Sequence, residues 1–273
     1  MTRGNSKYNK GADIMAKRYK INTFEGYQKI ISPENSDMKK INFAVIKSGD
    51  SQVCEGSTNG EESVFILTEG KMKFFLEDKL FAEASRKNVF AEPPSAVYLP
   101  PYSGYRVEFE QRGEICIASC LAKGTGKPKL IEAKDMVFSR KGHEGYFRNV
   151  TEIIPEIFPS ERLVVGETIS DPGNWASYPP HKHDTDNQPE EVAMEEVYFF
   201  KLEPKTGFGA IRIFNDEEDN IFVVKNNELI TIPRGYHPIA VPPKHQLYYL
   251  WVLAGETKKV IPFFHPDFNF IDK

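Results

Sequence analysis

Short runs in which hydrophobic and polar residues alternate cover most of the chain, and many are rich in β-branched and aromatic residues. A period of two residues is typical of β-strands with one buried face. Only one stretch, residues 149–157, is predicted to be helical. The pattern therefore predicts an all-β protein with one short helix near its middle. The predicted strands are 43–47, 63–67, 71–76, 96–99, 105–110, 115–119, 163–169, 195–202, 209–214, 221–224, 228–232, 247–254 and 260–264.

The predicted strands fall into two halves that resemble each other. Residues 62–67 are similar to 196–200, where the alignment pairs Glu62 with Glu196. In each half a later strand ends at a proline followed by a glycine turn, at 99–104 and at 232–236. Because such self-similarity indicates a repeated structural unit, we predict two copies of one small β-barrel.

A connector rich in lysine and glycine, residues 121–130, separates the two halves. We expect the linker region between the barrels to carry the short helix. The predicted organisation is a flexible N-terminal segment at 1–22, an N-terminal barrel at 23–135, and a C-terminal barrel at 136–273.

Composition narrows the function classes. The chain has 273 residues, of which 40% are hydrophobic, and a net charge of −4. It can therefore bury a sizeable core, and it lacks the basic stripe of a nucleic-acid-binding protein. Its longest apolar run, 247–254, is far shorter than the roughly 20 residues that span a bilayer. Three cysteines without a CxxC motif favour a reducing compartment. We expect a cytoplasmic protein that binds a small molecule, not nucleic acid or membrane, and whose basic first twenty residues fray.

Histidine is distributed unevenly, since the first 142 residues contain none. Within the second half, His181 and His183 are two residues apart, which on a strand places both imidazoles on one face. This arrangement suits capture of a divalent ion, whereas the alternative is a surface pair that binds nothing. The six histidines are His143, His181, His183, His237, His245 and His265.

Two adjacent glutamates, Glu195 and Glu196, begin a strongly apolar strand. Because successive side chains alternate, one of the two must point into the barrel. An inward carboxylate is costly unless it is paired or metal-bound, although an edge strand with both carboxylates in water remains an alternative. His237 follows a Pro-x-Gly turn that would aim its ring at the barrel mouth, or it is a hydrogen-bonded turn residue.

The order His-x-His, Glu and a distant His resembles the ligand order of the cupins. The segments GETISDPGNWASYPPHKHD, EEVYFF, IPRGYHP and YYLWVLAGE resemble the 5-deoxy-glucuronate isomerase family of bacterial inositol catabolism. Segments around Ser139–Gly142 and Arg148–Val150 also fit that family. More distantly the chain is similar to the 5-keto-4-deoxyuronate isomerases. The resemblance implies a bicupin, with two double-stranded β-helix (jelly-roll) barrels, of which the first is the half without metal.

Carried over to this chain, the family's metal ligands fall on His181, His183, Glu196 and His237. Glu196 is preferred to Glu195 because the family's glutamate directly precedes a Val-Tyr pair. The cupin glutamate usually follows the second histidine by four or five residues, and a longer insertion here keeps the choice between the glutamates open. Three imidazoles and a carboxylate suit one divalent ion, and zinc, manganese, iron and nickel all remain candidates.

The resemblance implies an aldose-ketose isomerase that interconverts 5-deoxy-D-glucuronate and 2-deoxy-5-keto-D-gluconate. Such a reaction needs groups that move one proton, and the candidates are Glu167, Tyr249, Lys201 and His245, with Glu167 and Tyr249 chosen as catalytic. The substrate carboxylate calls for cationic side chains. The predicted substrate-binding residues are Arg148, Arg212, Arg234 and Lys201.

Three other functions remain open at this point. The chain could isomerise a related uronate such as 5-keto-4-deoxyuronate, or bind a metal or sugar without turnover, since a fold does not fix a function. An iron dioxygenase would use the same ligands with open coordination positions. Homo-oligomerisation is also left open.

Overall fold

The computed structural model describes residues 16–49, 52–124 and 126–270, which are almost entirely β-structure. The helical elements of these residues are two 3₁₀ turns, Ala133–Asp135 and Pro266–Phe268. No helix in the described part of the chain is long and apolar enough to cross a membrane. The first ten strands are β1 Arg18–Lys20, β2 Gly26–Ile31, β3 Asn42–Ser48, β4 Val53–Ser57, β5 Glu61–Leu76, β6 Lys79–Arg86, β7 Ser95–Leu99, β8 Gly104–Phe109, β9 Gly113–Leu121 and β10 Lys129–Ile131. The following twelve are β11 Val137–Lys141, β12 Arg148–Ile154, β13 Leu163–Ser170, β14 Trp175–Ala176, β15 His181–Lys182, β16 Met194–Glu203, β17 Gly209–Phe214, β18 Asp219–Val224, β19 Glu228–Ile232, β20 Ile239–Ala240, β21 Gln246–Gly255 and β22 Phe263–Phe264.

The long strand β5 joins the two layers of the first barrel. Its first part pairs with β7 and β9, and its second part pairs with β6 and β8. The strand passes from one layer to the other near Gly70, which has a φ of +106°. A Cβ at Gly70 would lie 2.6 Å from the Cα of Gly113, so only glycine fits there. The strands predicted separately at 63–67 and 71–76 are therefore one bent strand.

The second barrel has a larger and a smaller sheet. The larger sheet has the order β1-β19-β16-β21-β13-β12-β11, and the smaller has the order β14-β20-β17-β18. The chain passes from the first barrel's sheet to this one between Ile131 and Val137. Side chains between the two sheets form one apolar cluster, to which the larger sheet contributes Tyr198, Phe200, Ile230, Ile232, Leu247 and Tyr249, and the smaller sheet Ala176, Ile211, Ile213, Val224 and Ile239.

The interior of the first barrel is filled with apolar side chains. Phe65 packs edge-on against both Phe74 and Tyr105, with ring centroids 5.1 and 4.7 Å apart. The cluster that surrounds these rings includes Ala44, Ile46, Leu67, Met72, Val97, Leu99, Val107, Phe109, Ile115 and Ile117. The middle of the first barrel is therefore hydrophobic core.

The main sheets of the two barrels pack face to face. Phe43 of β3 and Phe199 of β16 meet in this interface with their ring centroids 5.7 Å apart. The same cluster takes in Val197 from β16 and Leu250 and Val252 from β21. Since side chains alternate along each strand, the opposite faces of β16 and β21 point into the second barrel. The two strands thus contribute to two cores at once.

Glu195 lies near the start of β16, on the face that packs against the first barrel and at the edge of this interface. Its carboxylate accepts hydrogen bonds from three consecutive backbone N–H groups of the first barrel, those of Lys39 at 2.8 Å, Lys40 at 2.5 Å and Ile41 at 2.6 Å. The alternatives for this residue, a solvated carboxylate or a metal ligand, are therefore both excluded by its buried contacts. Glu195 joins the second barrel to the first.

Glu62 of β5 makes the reciprocal connection. Its carboxylate accepts hydrogen bonds from the backbone N–H groups of Glu161, Arg162 and Leu163 at 2.7 to 2.9 Å, and from the Tyr98 hydroxyl at 2.9 Å. Glu62 is fully buried. The interface is thus held by two carboxylates that each bind three backbone amides of the other barrel.

This reciprocity corrects the alignment of the two halves by one residue. Glu62 shares its face and its role with Glu195, whereas the alignment paired it with Glu196. The counterpart of Glu196 is Ser63, which lies on the same β5 face as the core residue Phe65. The first barrel therefore has a hydroxyl where the second has an inward carboxylate.

The predicted helix at 149–157 is wrong, because this segment largely lies in the strand β12, Arg148–Ile154. Four of its residues, Val150, Thr151, Ile153 and Ile154, are β-branched and suit a strand between two neighbours, while Pro155 would interrupt a helix. The strand predicted at 260–264 is also shorter in the structure, which has only Phe263–Phe264.

The predicted flexible segment at 1–22 lies partly outside the described residues, which begin at Ala16. From there the structure differs from the prediction. Ala16 is buried in the core of the second barrel, and β1 pairs with β19 in a register that sets Arg18 opposite Ile230. The described part of this segment thus belongs to the second barrel's sheet.

The carboxylate connections give a stability prediction. A glutamine at position 62 or 195 would turn an NH₂ group toward backbone N–H donors, so we expect Glu62→Gln and Glu195→Gln each to lower the free energy of unfolding by about 1 to 3 kcal/mol. Urea denaturation measures this difference. Glu144→Gln, at an exposed position, is the matched control and should leave the unfolding midpoint unchanged. Wild-type stability in both interface variants would contradict a structural role for these carboxylates.

Candidate metal centre

Three histidines from two segments of the second barrel lie close together beside β16. His181 lies in β15, His183 follows that strand, and His237 lies in the turn between β19 and β20. One ring nitrogen of each lies within 4.8 Å of one ring nitrogen of each of the others. His183 and His237 are 6% and 1% exposed. The structure thus brings together the three histidines that the sequence singled out, in a group that could hold a metal ion.

Backbone carbonyls fix the orientation of two of these rings. The Nδ1 atom of His181 lies 3.2 Å from the carbonyl oxygen of Pro179, and the Nδ1 atom of His237 lies 2.8 Å from that of Gly235. A ring that donates its Nδ1 proton to a carbonyl presents an unprotonated Nε2 to its other side. Metal-binding histidines are commonly oriented in this way.

The insertion that precedes the glutamates is ordered by its own side chains. Glu191 accepts hydrogen bonds from the Asp184 backbone N–H at 2.6 Å and from the Thr185 hydroxyl at 2.7 Å, and it pairs with Lys182 at 3.0 Å. Asp184 in turn accepts a 2.7 Å hydrogen bond from the Gly235 backbone N–H. These contacts connect the His-x-His segment directly to the turn that carries His237.

Glu196 is the inward member of the glutamate pair. It shares the pocket-facing side of β16 with Tyr198, and its Oε2 atom lies 3.1 Å from Nε2 of His237. Both atoms are buried, and neither has a hydrogen bond of good geometry. A buried carboxylate oxygen and a buried imidazole nitrogen without hydrogen bonds are costly, and a shared cation would satisfy both.

Burial favours the neutral imidazole at His181 and His183, whereas His237 differs. Burial, with help from neighbouring His237, lowers the pKa of His181 to about 3. Burial also lowers the pKa of His183 well below its usual value. Burial acts in the same direction on His237, but the Glu196 carboxylate outweighs it and raises that pKa. Neutral imidazoles have free lone pairs, and the carboxylate supplies negative charge, so the donor set fits a divalent cation.

The cluster lies in a pocket of about 450 Å³. Arg148 and Lys141 bring positive charge to its lining, while Tyr249, Thr168 and Trp251 come from β21 and β13. The indole N–H of Trp251 donates to the Thr168 hydroxyl at 3.1 Å. Of the residues predicted for catalysis or substrate binding, the structure places Tyr249 and Arg148 in this pocket.

Ser177 is a pocket residue that the sequence patterns did not single out. Its hydroxyl lies 2.9 Å from the Tyr198 hydroxyl and 3.4 Å from the Tyr249 hydroxyl. Its φ of +47° is unusual for serine and is consistent with a site under functional constraint. Glu152 and Lys141 were missed as well. Ser177 and Lys141 both lie in the segments that resemble the isomerase family, which is the signal that could have identified them.

Glu167 and Lys201 point away from this pocket. Glu167 occupies the face of β13 opposite Thr168 and forms a buried 2.8 Å ion pair with Arg86 of the first barrel. Lys201 occupies the interface side of β16 and pairs with Glu114 at 2.5 Å. Side chains on one strand face cannot reach a ligand on the other. This placement therefore corrects the assignment of Glu167 to catalysis and of Lys201 to substrate binding.

Two predicted arginines and a histidine lie outside the pocket lining. Arg212 forms a bidentate ion pair with Asp219 on the smaller sheet of the second barrel, with both N to O distances at 2.8 Å. Arg234 is largely exposed and lies 3.8 Å from Glu217. His245 is half-buried beside Phe208. These placements correct the substrate-binding assignments of both arginines and leave His245 without a role in proton transfer.

Comparison with known proteins agrees with this arrangement. A model of the KduI/IolB family matches residues 17–271. A 5-deoxy-glucuronate isomerase from Geobacillus kaustophilus is 34% identical over 86% of this chain and 86% of its own length. One from Bacillus subtilis strain 168 is 32% identical over 84% of this chain and 86% of its own.

Solved structures show the same fold. An IolB-like protein from Salmonella typhimurium has a TM-score of 0.90 at 25% identity and matches 96% of this chain and 100% of its own. Oxalate decarboxylase from Lactobacillus farciminis has a TM-score of 0.67 at 10% identity, over 94% of this chain and 90% of its own. The predicted all-β bicupin fold is confirmed, apart from the helix. Together with the match over nearly the whole chain, these findings establish that the protein belongs to the KduI/IolB family.

Proposed function

We propose that the protein is a metal-dependent aldose-ketose isomerase that interconverts 5-deoxy-D-glucuronate and 2-deoxy-5-keto-D-gluconate in myo-inositol catabolism. The observation that carries this proposal is a pocket lined by His181, His183 and Glu196, with His237 directly behind them and with Arg148 and Lys141 in the same lining. A metal-binding group and positive charge in one pocket match a substrate that is both a carbonyl compound and an acid. The relationship to the Geobacillus and Bacillus isomerases supports the same reaction.

We assign one divalent cation to His181, His183, His237 and Glu196. Zinc, manganese, iron and nickel all accept this combination of imidazole and carboxylate ligands. When bound, such an ion polarises the substrate carbonyl and stabilises the negative charge that develops on the neighbouring oxygen atoms.

Arg148 is the residue that we assign to the substrate carboxylate. One of its guanidinium nitrogens donates to the Tyr146 carbonyl at 3.2 Å, which anchors the side chain at the pocket lining. The remaining N–H groups of the guanidinium are free to bind a carboxylate with two parallel hydrogen bonds. Lys141, which lies opposite Arg148 on the neighbouring strand, adds a second positive charge.

Proton transfer falls to groups of the same pocket. Burial raises the pKa of Tyr249, so its hydroxyl stays protonated and can donate a hydrogen bond to a substrate oxygen. Ser177 orients that hydroxyl together with the Tyr198 hydroxyl. Glu152 is a half-buried carboxylate of the lining with no ion pair to any described residue, and we assign it the role of the base.

An assay of substrate and metal tests the reaction. Protein stripped of metal and reloaded with each of the four ions should convert 5-deoxy-glucuronate, measured by proton NMR, and should favour it over 5-keto-4-deoxyuronate by about tenfold or more in kcat/KM. A chelator should abolish turnover. Preference for the second uronate would change the substrate, and oxygen consumption would indicate a dioxygenase. Binding without turnover of either uronate would leave a non-catalytic cupin.

The two adjacent glutamates allow a matched test of the metal ligands. Glu196→Gln and the double variant His181→Ala/His183→Ala should retain less than about a tenth of the wild-type metal, because each removes direct ligands. Glu195→Gln should unfold more easily and yet bind metal normally, since this residue faces the interface. Elemental analysis of the folded proteins measures the metal. Equal metal content in the Glu196 and wild-type proteins would refute the ligand assignment.

The two arginines that differ in placement test the recognition of the substrate's acid group. Arg148→Gln should raise KM about tenfold or more with a smaller effect on kcat, because it removes a charge-assisted contact remote from the reacting carbons. Arg212→Gln changes the same residue type outside the pocket and should leave both constants unchanged. Steady-state measurement of kcat and KM for both variants distinguishes the two arginines. The reverse pattern would assign the carboxylate to Arg212.

A further inference from the structure

A second cavity, of about 510 Å³, lies between the two barrels. It shares no lining residue with the metal pocket. The first barrel contributes Lys47, Glu114 and Phe90 to its lining, and the second contributes Lys201 and Asn227. Lys201, which the sequence assigned to the substrate, therefore faces this second cavity and not the metal pocket.

The floor of this cavity carries an ionic cluster. Glu114 is buried, pairs with Lys201 at 2.5 Å and with Lys47 at 3.5 Å, and accepts a 2.7 Å hydrogen bond from the Thr68 hydroxyl. Lys201 also donates to the Asn227 side chain at 2.7 Å. Two half-buried ammonium groups thus share one buried carboxylate. The floor keeps an excess of positive charge that is poorly screened by solvent.

The rim adds cations that have no partner. Lys87, Arg112 and Lys205 line the cavity, and none of them forms an ion pair within the described ranges of the chain. The whole lining has five cationic side chains against four carboxylates, those of Glu25, Glu69, Glu114 and Glu203. The cavity therefore keeps a small excess of positive charge that can attract an anion.

Polar and aromatic groups complete the lining. The carboxylates of Glu69 and Glu203, which pair with no cation among the described residues, and the amides of Asn88 and Asn226 can hydrogen-bond hydroxyl groups. Phe24, which lies beneath the Lys47 ammonium at 5.2 Å, offers an apolar face. Acceptors for hydroxyl groups, an apolar face and cations for an acid are the contacts that a sugar acid needs.

We propose that the cavity between the barrels binds a small polyhydroxylated acid, either a sugar carboxylate or a sugar phosphate, at a site separate from the metal pocket. The proposal does not depend on the isomerase reaction. The strand β16 supplies Lys201 to this site and Glu196 to the histidine cluster. A ligand here would therefore contact the strand that carries the carboxylate assigned to the metal.

Isothermal titration calorimetry at low salt tests the proposal with D-gluconate and glucose 6-phosphate as the two acids. Glucose and inorganic phosphate are the controls for the polyol and for the bare anion. At least one acid should bind more tightly than both controls, and which acid binds better identifies the acid group. The same binding should persist in the His181→Ala/His183→Ala variant, which separates this site from the metal pocket.

Substitution at the rim gives the matched comparison. Lys87→Gln/Arg112→Gln removes two exposed cations without disturbing the buried floor, and it should weaken binding of the acid by about tenfold. Lys79→Gln/Lys127→Gln removes two exposed cations elsewhere and should not change the affinity. No heat with either acid, equal affinity in the rim variant, loss of binding in the histidine variant, or equal affinity for inorganic phosphate would each overturn the proposal.

Discussion

The register of β16 is the constraint on which both the interface and the metal cluster depend. One face of this strand packs against the first barrel through Val197 and Phe199, and the other lines the pocket through Glu196 and Tyr198. A shift of one residue would exchange the two faces and bury Glu196 between the sheets. The amide hydrogen bonds to Glu195 act together with the apolar packing of Val197 and Phe199 to resist that shift. The shift would turn these two apolar side chains toward the pocket and bury the Tyr198 hydroxyl, which contacts Ser177, in the interface. The interface thereby fixes which carboxylate faces the histidines.

This dependence gives the first barrel a structural role, which is to hold the strands of the second barrel in register. Its interior is packed with aromatic and aliphatic side chains, and Ser63 stands where the second barrel has Glu196. What it supplies to the second barrel lies on its outer face: the amides of residues 39–41, the Arg86 partner of Glu167, and the apolar surface around Phe43. The two copies of the repeat therefore share a common interface, while the histidine cluster described above lies in the second copy.

The sequence predicted features that depend on local pattern, and it failed where a choice depended on distant partners. Alternation located most strands, and the spacing of His181 and His183 indicated that both imidazoles share one face. Which face of β13 enters the pocket depends on Arg86, 81 positions earlier in the chain, so Glu167 was assigned to the wrong side. The helix prediction failed for a local reason, because it gave too little weight to the β-branched residues and to Pro155 of that segment, which favour the strand that pairs with β11 and β13. Alternation along the predicted strand 209–214 does place Arg212 opposite Ile211 and Ile213, which face the core, but the substrate assignment overlooked this signal. Arg234 lies in a turn, where no such alternation gives the direction of a side chain.

The charges of the pocket serve both metal and substrate. Burial and His237 are the main reasons for the low pKa of His181, and the positive charges of Arg148 and Lys141 lower it further. The same two side chains are those that we assign to an acidic substrate. A pocket that attracts an anion therefore also keeps an imidazole unprotonated, and an unprotonated imidazole is the form that binds a metal. At His237 the Glu196 carboxylate outweighs the effect of burial and raises the pKa of that imidazole. Replacing either cation would reduce the electrostatic preference for a neutral His181, and under the function that we propose it would also weaken substrate binding, so charge couples the two roles of the pocket.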